Sequence, residues 1–220
     1  MRSIFLLFGL FVFLVSQAQQ GSVTLQAKSF QYNPPRDTAI WNWLERQPGF
    51  SSLPLQQQES FYWTNLMRRN PIRFFETAVR AFVQQFPEAN TREVRDLELD
   101  IKKAPVTLPL LAPDASLKNM GAAHTTDLVM RGGIISHQSA SGKGFAQRIK
   151  EFGSFRCGAE NIYAGSNDPL EALIILLIDH NVPNKGHRIN LLDPAYGRMG
   201  LGWELMKDSR AMLVQVFACP

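Results

Sequence analysis

The chain has few of the residues from which local metal and redox motifs are built. Its 220 residues include 2 cysteines and 4 histidines. No Cys-x-x-Cys and no His-Glu-x-x-His occurs, so neither a zinc ribbon nor a helix-borne metalloprotease centre is written into one short segment. Lysines and arginines are scattered rather than massed, and the formal net charge is only +4. A nucleic-acid partner is therefore excluded as the working reading. There is no internal repeat. Beyond the N-terminal apolar run, no stretch is long and apolar enough to span a membrane.

What is present begins at that run. Met1 and Arg2 precede "SIFLLFGLFVFLV" and then "SQA". A charged start, an apolar stretch of about thirteen residues and small residues at Ser16 and Ala18 read as a secretory signal peptide cut after Ala18. No cysteine follows the run, which argues against a lipid anchor. Residues 1–18 are thus expected to be removed, leaving an exported chain, extracellular or periplasmic, of about 200 residues. The 15 phenylalanines suit a buried core rather than disorder. Export permits a disulfide between Cys157 and Cys219, and two is the smallest even count; two buried free thiols are the alternative.

Residues 19–55 read as an irregular extension. "YNPPRD" breaks regular structure because its prolines lack amide donors, although "TAIWNWLER" can form one or two helical turns. Helical spacing starts near Gln57. Asn70-Pro71 restarts a helix with an acceptor cap and proline at the first position. A third, charged helix follows Thr91 as its cap. "DASLKNMGAAHTTDLVMRG" reads as a helix with Leu117, Gly121, His124 and Leu128 on one face and a stop at Gly132-Gly133. "FAQRIKEFG" is a short helix and "ENIYAG" a strand. Asp168-Pro169-Leu170-Glu171 is a helix start, and the apolar helix after it should be buried. "RMGLGWEL" and "AMLVQVF" form a hairpin through "KDS". The expectation is an α+β fold: a three-layer α–β–α sandwich with a small, mainly antiparallel sheet.

The polar residues of the second half gather at the ends of these elements. "IDHNVPNKGHRINLLDP" puts two histidines, two aspartates and an arginine directly after the most apolar segment. His137, Glu160, Asp179 and His187 come from four separate segments, His187 from the loop after the buried helix. Imidazoles and carboxylates are ligands that zinc accepts, with an open position left for water.

Three stretches, "GAAHTTDLVMRGGIISH", "CGAENIYAG" and "KGHRINLLDPAYGRMGLGWE", resemble the CAP superfamily: cysteine-rich secretory proteins, venom antigens, pathogenesis-related proteins and exported bacterial members. The likeness runs from about Gln57 to the C-terminus, so residues 56–220 are expected to form the CAP domain. "IDHNVPNKGHR" is similar to a turn of the bacterial branch. The resemblance implies an α–β–α sandwich whose cleft holds two histidines and two acids, here His137, Glu160, Asp179 and His187. Asp179 stands where animal members carry a glutamate, so its side chain is one methylene shorter. Ala159 is inserted into the Cys-Gly-Glu-Asn motif. The resemblance further implies that His137 and His187 are ligands to Zn or another divalent metal.

Each residue also has a structural reading. His187 and Arg188 can simply satisfy carbonyls in a tight loop, and Glu160 can accept backbone amides from the loop that carries His187. His124 is expected to be a satisfied core histidine, His180 to face solvent, and Arg148 and Arg188 to tie loops. Ser136 and Ser139 beside His137 raise a serine hydrolase, but no nucleophile elbow is present. The function read from the sequence is binding: a polar cleft, metal-loaded or not, for an extracellular ligand or protein partner. A metal-assisted or serine hydrolase, and lipid or sterol carriage, are the alternatives.

Overall fold

The computed structural model describes residues 29–220; the expected signal peptide and its cleavage point lie outside them. The elements in chain order are α1 (Thr38–Glu45), α2 (Leu55–Arg69), α3 (Pro71–Phe74), a π-helical segment (Phe75–Val79), α4 (Arg80–Gln85), α5 (Arg92–Lys103), β1 (Ala112–Pro113), α6 (Ala115–Met130), α7 (Phe145–Phe152), β2 (Gly158–Gly165), α8 (Pro169–Ile178), α9 (Gly186–Leu192), β3 (Arg198–Leu205) and β4 (Ala211–Ala218). The sheet order is β1-β3-β4-β2. β4 pairs antiparallel with β2 and with β3, while the two-residue β1 runs parallel to β3.

Side chains alternate across a strand, and this alternation divides the core. Met199, Leu201, Leu213, Phe217 and Tyr163 face the layer built from α2, α5 and α8. Ile162, Met212, Val214 and Val216 face α6. The result is the α–β–α sandwich, with β2 at one edge. On the α6 side two strand glycines bring helix and sheet close. A methyl group on Gly200 would strike the Leu117–Lys118 backbone, and one on Gly202 would strike the Gly121 backbone.

The local start signals hold. Asp168 accepts from Leu170 N and Glu171 N at 2.8 and 3.0 Å, and Asp114 caps α6 through Ser116 N and Leu117 N. Asn70 accepts from Arg73 N at 3.0 Å. In α8 every residue except Pro169 and Ile175 is buried, each Leu or Ile contributing about 2 kcal/mol. Thr91 occupies the cap position of α5, but its hydroxyl makes no capping bond.

Of the segment expected to be irregular, the described part, residues 29–55, is folded onto the domain. Asp37 caps α1, Ile40 and Leu44 are fully buried, and Phe30 packs edge-on against Phe82 at 5.2 Å. The two prolines stop regular structure only where they stand; the aromatic residues around them still bury. One core cluster takes in Phe30, Phe50 and Phe217. The cysteines are bridged, Cys157 to Cys219, tying the start of β2 to the end of β4.

Arg68 was not singled out from the sequence. It is fully buried and donates to four main-chain carbonyls, those of Pro109, Leu191, Asp193 and Tyr196, at 2.7–3.1 Å. Burial pulls its pKa down to about 10, with Asp193 opposing. Its spacing of seven from buried Phe61 puts it on that residue's helix face, but nothing in the sequence marks the carbonyls it binds.

Candidate functional site

α6 builds the first half of the site. His124, Asp127 and Arg131 recur at three and four residues, and each holds one point of the loop that follows. His124 Nε2 donates to Ser136 O at 2.8 Å, Arg131 Nη1 donates to Gln138 O at 2.8 Å, and the Asp127 carboxylate accepts from Ala140 N. Because a carbonyl can only accept, His124 carries its proton on Nε2. Burial pushes its pKa below 6.5 despite the nearby Glu160 charge, so it is a neutral core histidine.

The fixed loop presents His137. Its Nδ1 lies 2.9 Å from Glu160 Oε1. Arg148, from α7, donates to both Glu160 oxygens at 3.0 and 2.8 Å and also to His137 O at 3.1 Å. The Glu160 side chain is 1% exposed, whereas that of His137 is 56% exposed. Burial alone would push the Glu160 carboxyl up. Hydrogen bonds from His137 and Arg148, and the Arg148 charge, outweigh it and hold the group below its ordinary value of 4.5.

The second half lies after α8. Asp179 ends that helix in the left-handed region, φ 57°, a conformation Asp tolerates better than most residues. Its Oδ1 meets His187 Nδ1 at 2.7 Å, and its Oδ2 accepts from His187 N and Arg188 N at 3.0 and 3.3 Å. Those amides belong to the first turn of α9, whose own cap residue, Lys185, makes no side-chain capping bond. Asp179 is thus a cap supplied from eight residues upstream. The shorter side chain reaches its histidine. Asp179 is 0% exposed at the side chain and His187 22%. Arg188 ties this turn inward, donating to Leu177 O and Ile178 O, to Glu93 O and to Asp100.

β2 joins the halves. Asn190 on α9 donates to Asn161 Oδ1 at 2.8 Å and to Glu160 O, while Asn161 donates to His187 O and to buried Gln215. His137 is thus bonded to the residue preceding Asn161, and the His187 main chain to Asn161 itself.

Several sequence expectations are revised here. His187 is the second residue of α9, not a loop residue. Glu160 takes no backbone amide with its carboxylate; its carbonyl accepts from Asn190 instead. His180 is half-buried, 3.3 Å from Glu93, rather than facing solvent. Arg148 and Arg188 do tie loops. The Ser136 hydroxyl bonds Gln138 and the Ser139 hydroxyl bonds Ser141 and Lys143 N, so neither touches an imidazole. Asn161 and Asn190 were overlooked; the "ENIYAG" strand gave the signal, a polar residue at an inward position of an apolar strand.

The donor chemistry suits a metal in part. With Nδ1 turned to a carboxylate, an imidazole offers Nε2 as a lone-pair donor, the usual arrangement behind a metal-bound histidine. Among the described residues, neither His137 Nε2 nor His187 Nε2 is bonded to protein, and no group of three or more His, Cys, Asp or Glu is placed to hold a metal ion. The four expected residues form two pairs. Any ion held by them would have two imidazole ligands, with water completing its shell.

Two solved structures are similar to the chain over about half its length. An extracellular protein containing an SCP domain from Bacillus anthracis str. Ames is 28% identical over 51% of this chain, with a TM-score of 0.42; the chain spans 35% of that protein. An outer surface protein from Borrelia burgdorferi is 21% identical over 57% of this chain and 87% of its own, with a TM-score of 0.45. No curated protein matches significantly. Among the described residues no helix is long and apolar enough to cross a membrane. The model of the CAP, or cysteine-rich secretory protein, family matches residues 68–219, and the chain belongs to that family.

Proposed function

We propose that this CAP-domain protein is exported and works as a binding module. In this reading the free Nε2 atoms of His137 and His187 share one polar cleft, which takes an extracellular ligand through a divalent ion such as Zn²⁺ or directly. The observation that carries the reading is the double histidine–carboxylate arrangement: two buried acids spend themselves on fixing two imidazoles whose far nitrogens are unspent. A structural histidine gains nothing from a free Nε2, whereas a ligating one requires it. The signal-like N-terminus supports export. The bonding of Ser136 and Ser139 away from any imidazole favours binding over serine chemistry.

The test is calorimetric titration of Zn²⁺ into the purified chain, beside a His137→Ala, His187→Ala double variant. The wild type should bind with an affinity that falls in acid, because imidazole must be neutral to ligate. The double variant should lose at least tenfold. Equal affinity in the two proteins would overturn metal ligation by this pair.

A further inference from the structure

A concavity lies where the N-terminal segment docks, and none of the four histidine-site residues lines it. It encloses about 560 Å³ between residues 32–37 and the corner joining α2 to α3, within the ~300–1,000 Å³ of small-molecule sites. One wall is Tyr32 with Pro34 and Pro35. Phe74 also lines it, and Arg69 and Arg73 stand at the helix corner. The corner exists because Asn70-Pro71 ends one helix and starts the next, placing one arginine in the last turn and the other in the first.

The charge balance of the groove is positive. Its single lining carboxylate, Asp37, accepts from Ala39 N and Ile40 N through Oδ1, and the same oxygen lies 3.6 Å from Arg69 Nη1. Among the described residues no ion pair or hydrogen bond holds the Arg73 guanidinium. A guanidinium meets carboxylate or phosphate oxygens two at a time. Prolines 34 and 35 keep their wall extended and offer ring faces, and the half-buried Tyr32 adds an aromatic surface next to them.

We propose that this groove is a second ligand site, for a small organic anion. Its carboxylate or phosphate lies between Arg69 and Arg73, and its flat apolar body rests against Tyr32 and the Pro34-Pro35 wall. Most of that wall precedes residue 68, where the family match begins. The site is therefore a property of this chain's N-terminal segment joined to the domain.

Phenyl phosphate, benzoate, inorganic phosphate and benzyl alcohol are the probes, titrated calorimetrically into the full exported chain. Trp63, whose ring centre is 6.4 Å from that of Tyr32, gives a fluorescence readout. At least one aryl anion should bind tighter than both inorganic phosphate and benzyl alcohol, and comparison of phenyl phosphate with benzoate tells which acid is preferred. Arg73→Gln should weaken that binding at least tenfold at unchanged melting temperature. Tyr32→Ala should weaken the aryl anion more than inorganic phosphate. The His137→Ala, His187→Ala variant should bind like wild type, which separates this site from the histidine cleft. Benzyl alcohol binding as tightly as the aryl anions, no aryl anion binding at millimolar concentration, or an unchanged affinity in Arg73→Gln would each overturn the proposal.

Discussion

The His137–Glu160 and His187–Asp179 pairs bond at 2.9 and 2.7 Å, yet their carboxylates are held by different means. Glu160 is clamped by a side chain, the Arg148 guanidinium. Asp179 is clamped by main chain, the first amides of α9. In the first pair a buried charge meets a buried opposite charge. In the second a carboxylate sits at the positive end of a short helix and needs no cation. The first arrangement depends on one residue's identity; the second depends on the folding of a turn.

Three experiments press on that difference. Arg148→Ala should do the most damage, about 3–5 kcal/mol, because it strands a buried carboxylate. A compensating Arg148→Met, Glu160→Gln double variant should recover much of the loss in denaturant titration. A single-variant loss below about 1 kcal/mol would remove the ion pair from the account. Asp179→Ala should cost about 2–3 kcal/mol, combining a lost cap with a left-handed backbone that alanine resists. Asp179→Gly relieves the backbone part, so the difference between the two variants measures it. If both lose equally, main-chain clamping is not what fixes this carboxylate.

Acid should produce the smallest change, and it should begin on the α6–α7 side. The pKa of Glu160 is depressed, so its stabilising contribution is present above 4.5 and is lost as pH falls through the lower folded value. The pKa of His124 is also depressed, by burial. The unfolded chain therefore binds that proton more readily, and stability falls as pH drops below 6.5. Hydrogen exchange should show residues 136–143 and α7 loosening before α9 as pH is lowered from 7 to 4. Simultaneous loosening of α9 would contradict the assignment.

Much of the sandwich could be read from local rules. Asp114 and Asp168 announced their helices because a cap is a short-range bond, and the aliphatic helix α8 announced its burial because it has no polar face. The four residues that form the two histidine–carboxylate pairs were singled out through the family's motifs. Which acid serves which histidine was not, since that is decided by the two faces of β2 and by the left-handed turn at Asp179. Arg68 escaped because its partners are carbonyls more than forty residues downstream, and a carbonyl leaves no mark in a sequence. The packing of Phe30 was missed because an Asn-Pro-Pro run signals a break in hydrogen bonding, not an absence of packing, whereas the two turns of α1 were legible in "TAIWNWLER".

The bare α-carbons at residues 121, 200 and 202 act as a spacer of zero thickness. Since α6 rests directly on β3, the height of its C-terminal end above the sheet is set by what is missing between them. That end carries the three side chains that grip the His137 loop. A single added methyl group there would raise the grip as a lever raises its tip, so the aim of an imidazole some fifteen residues away is adjusted from beneath the helix that steadies its loop.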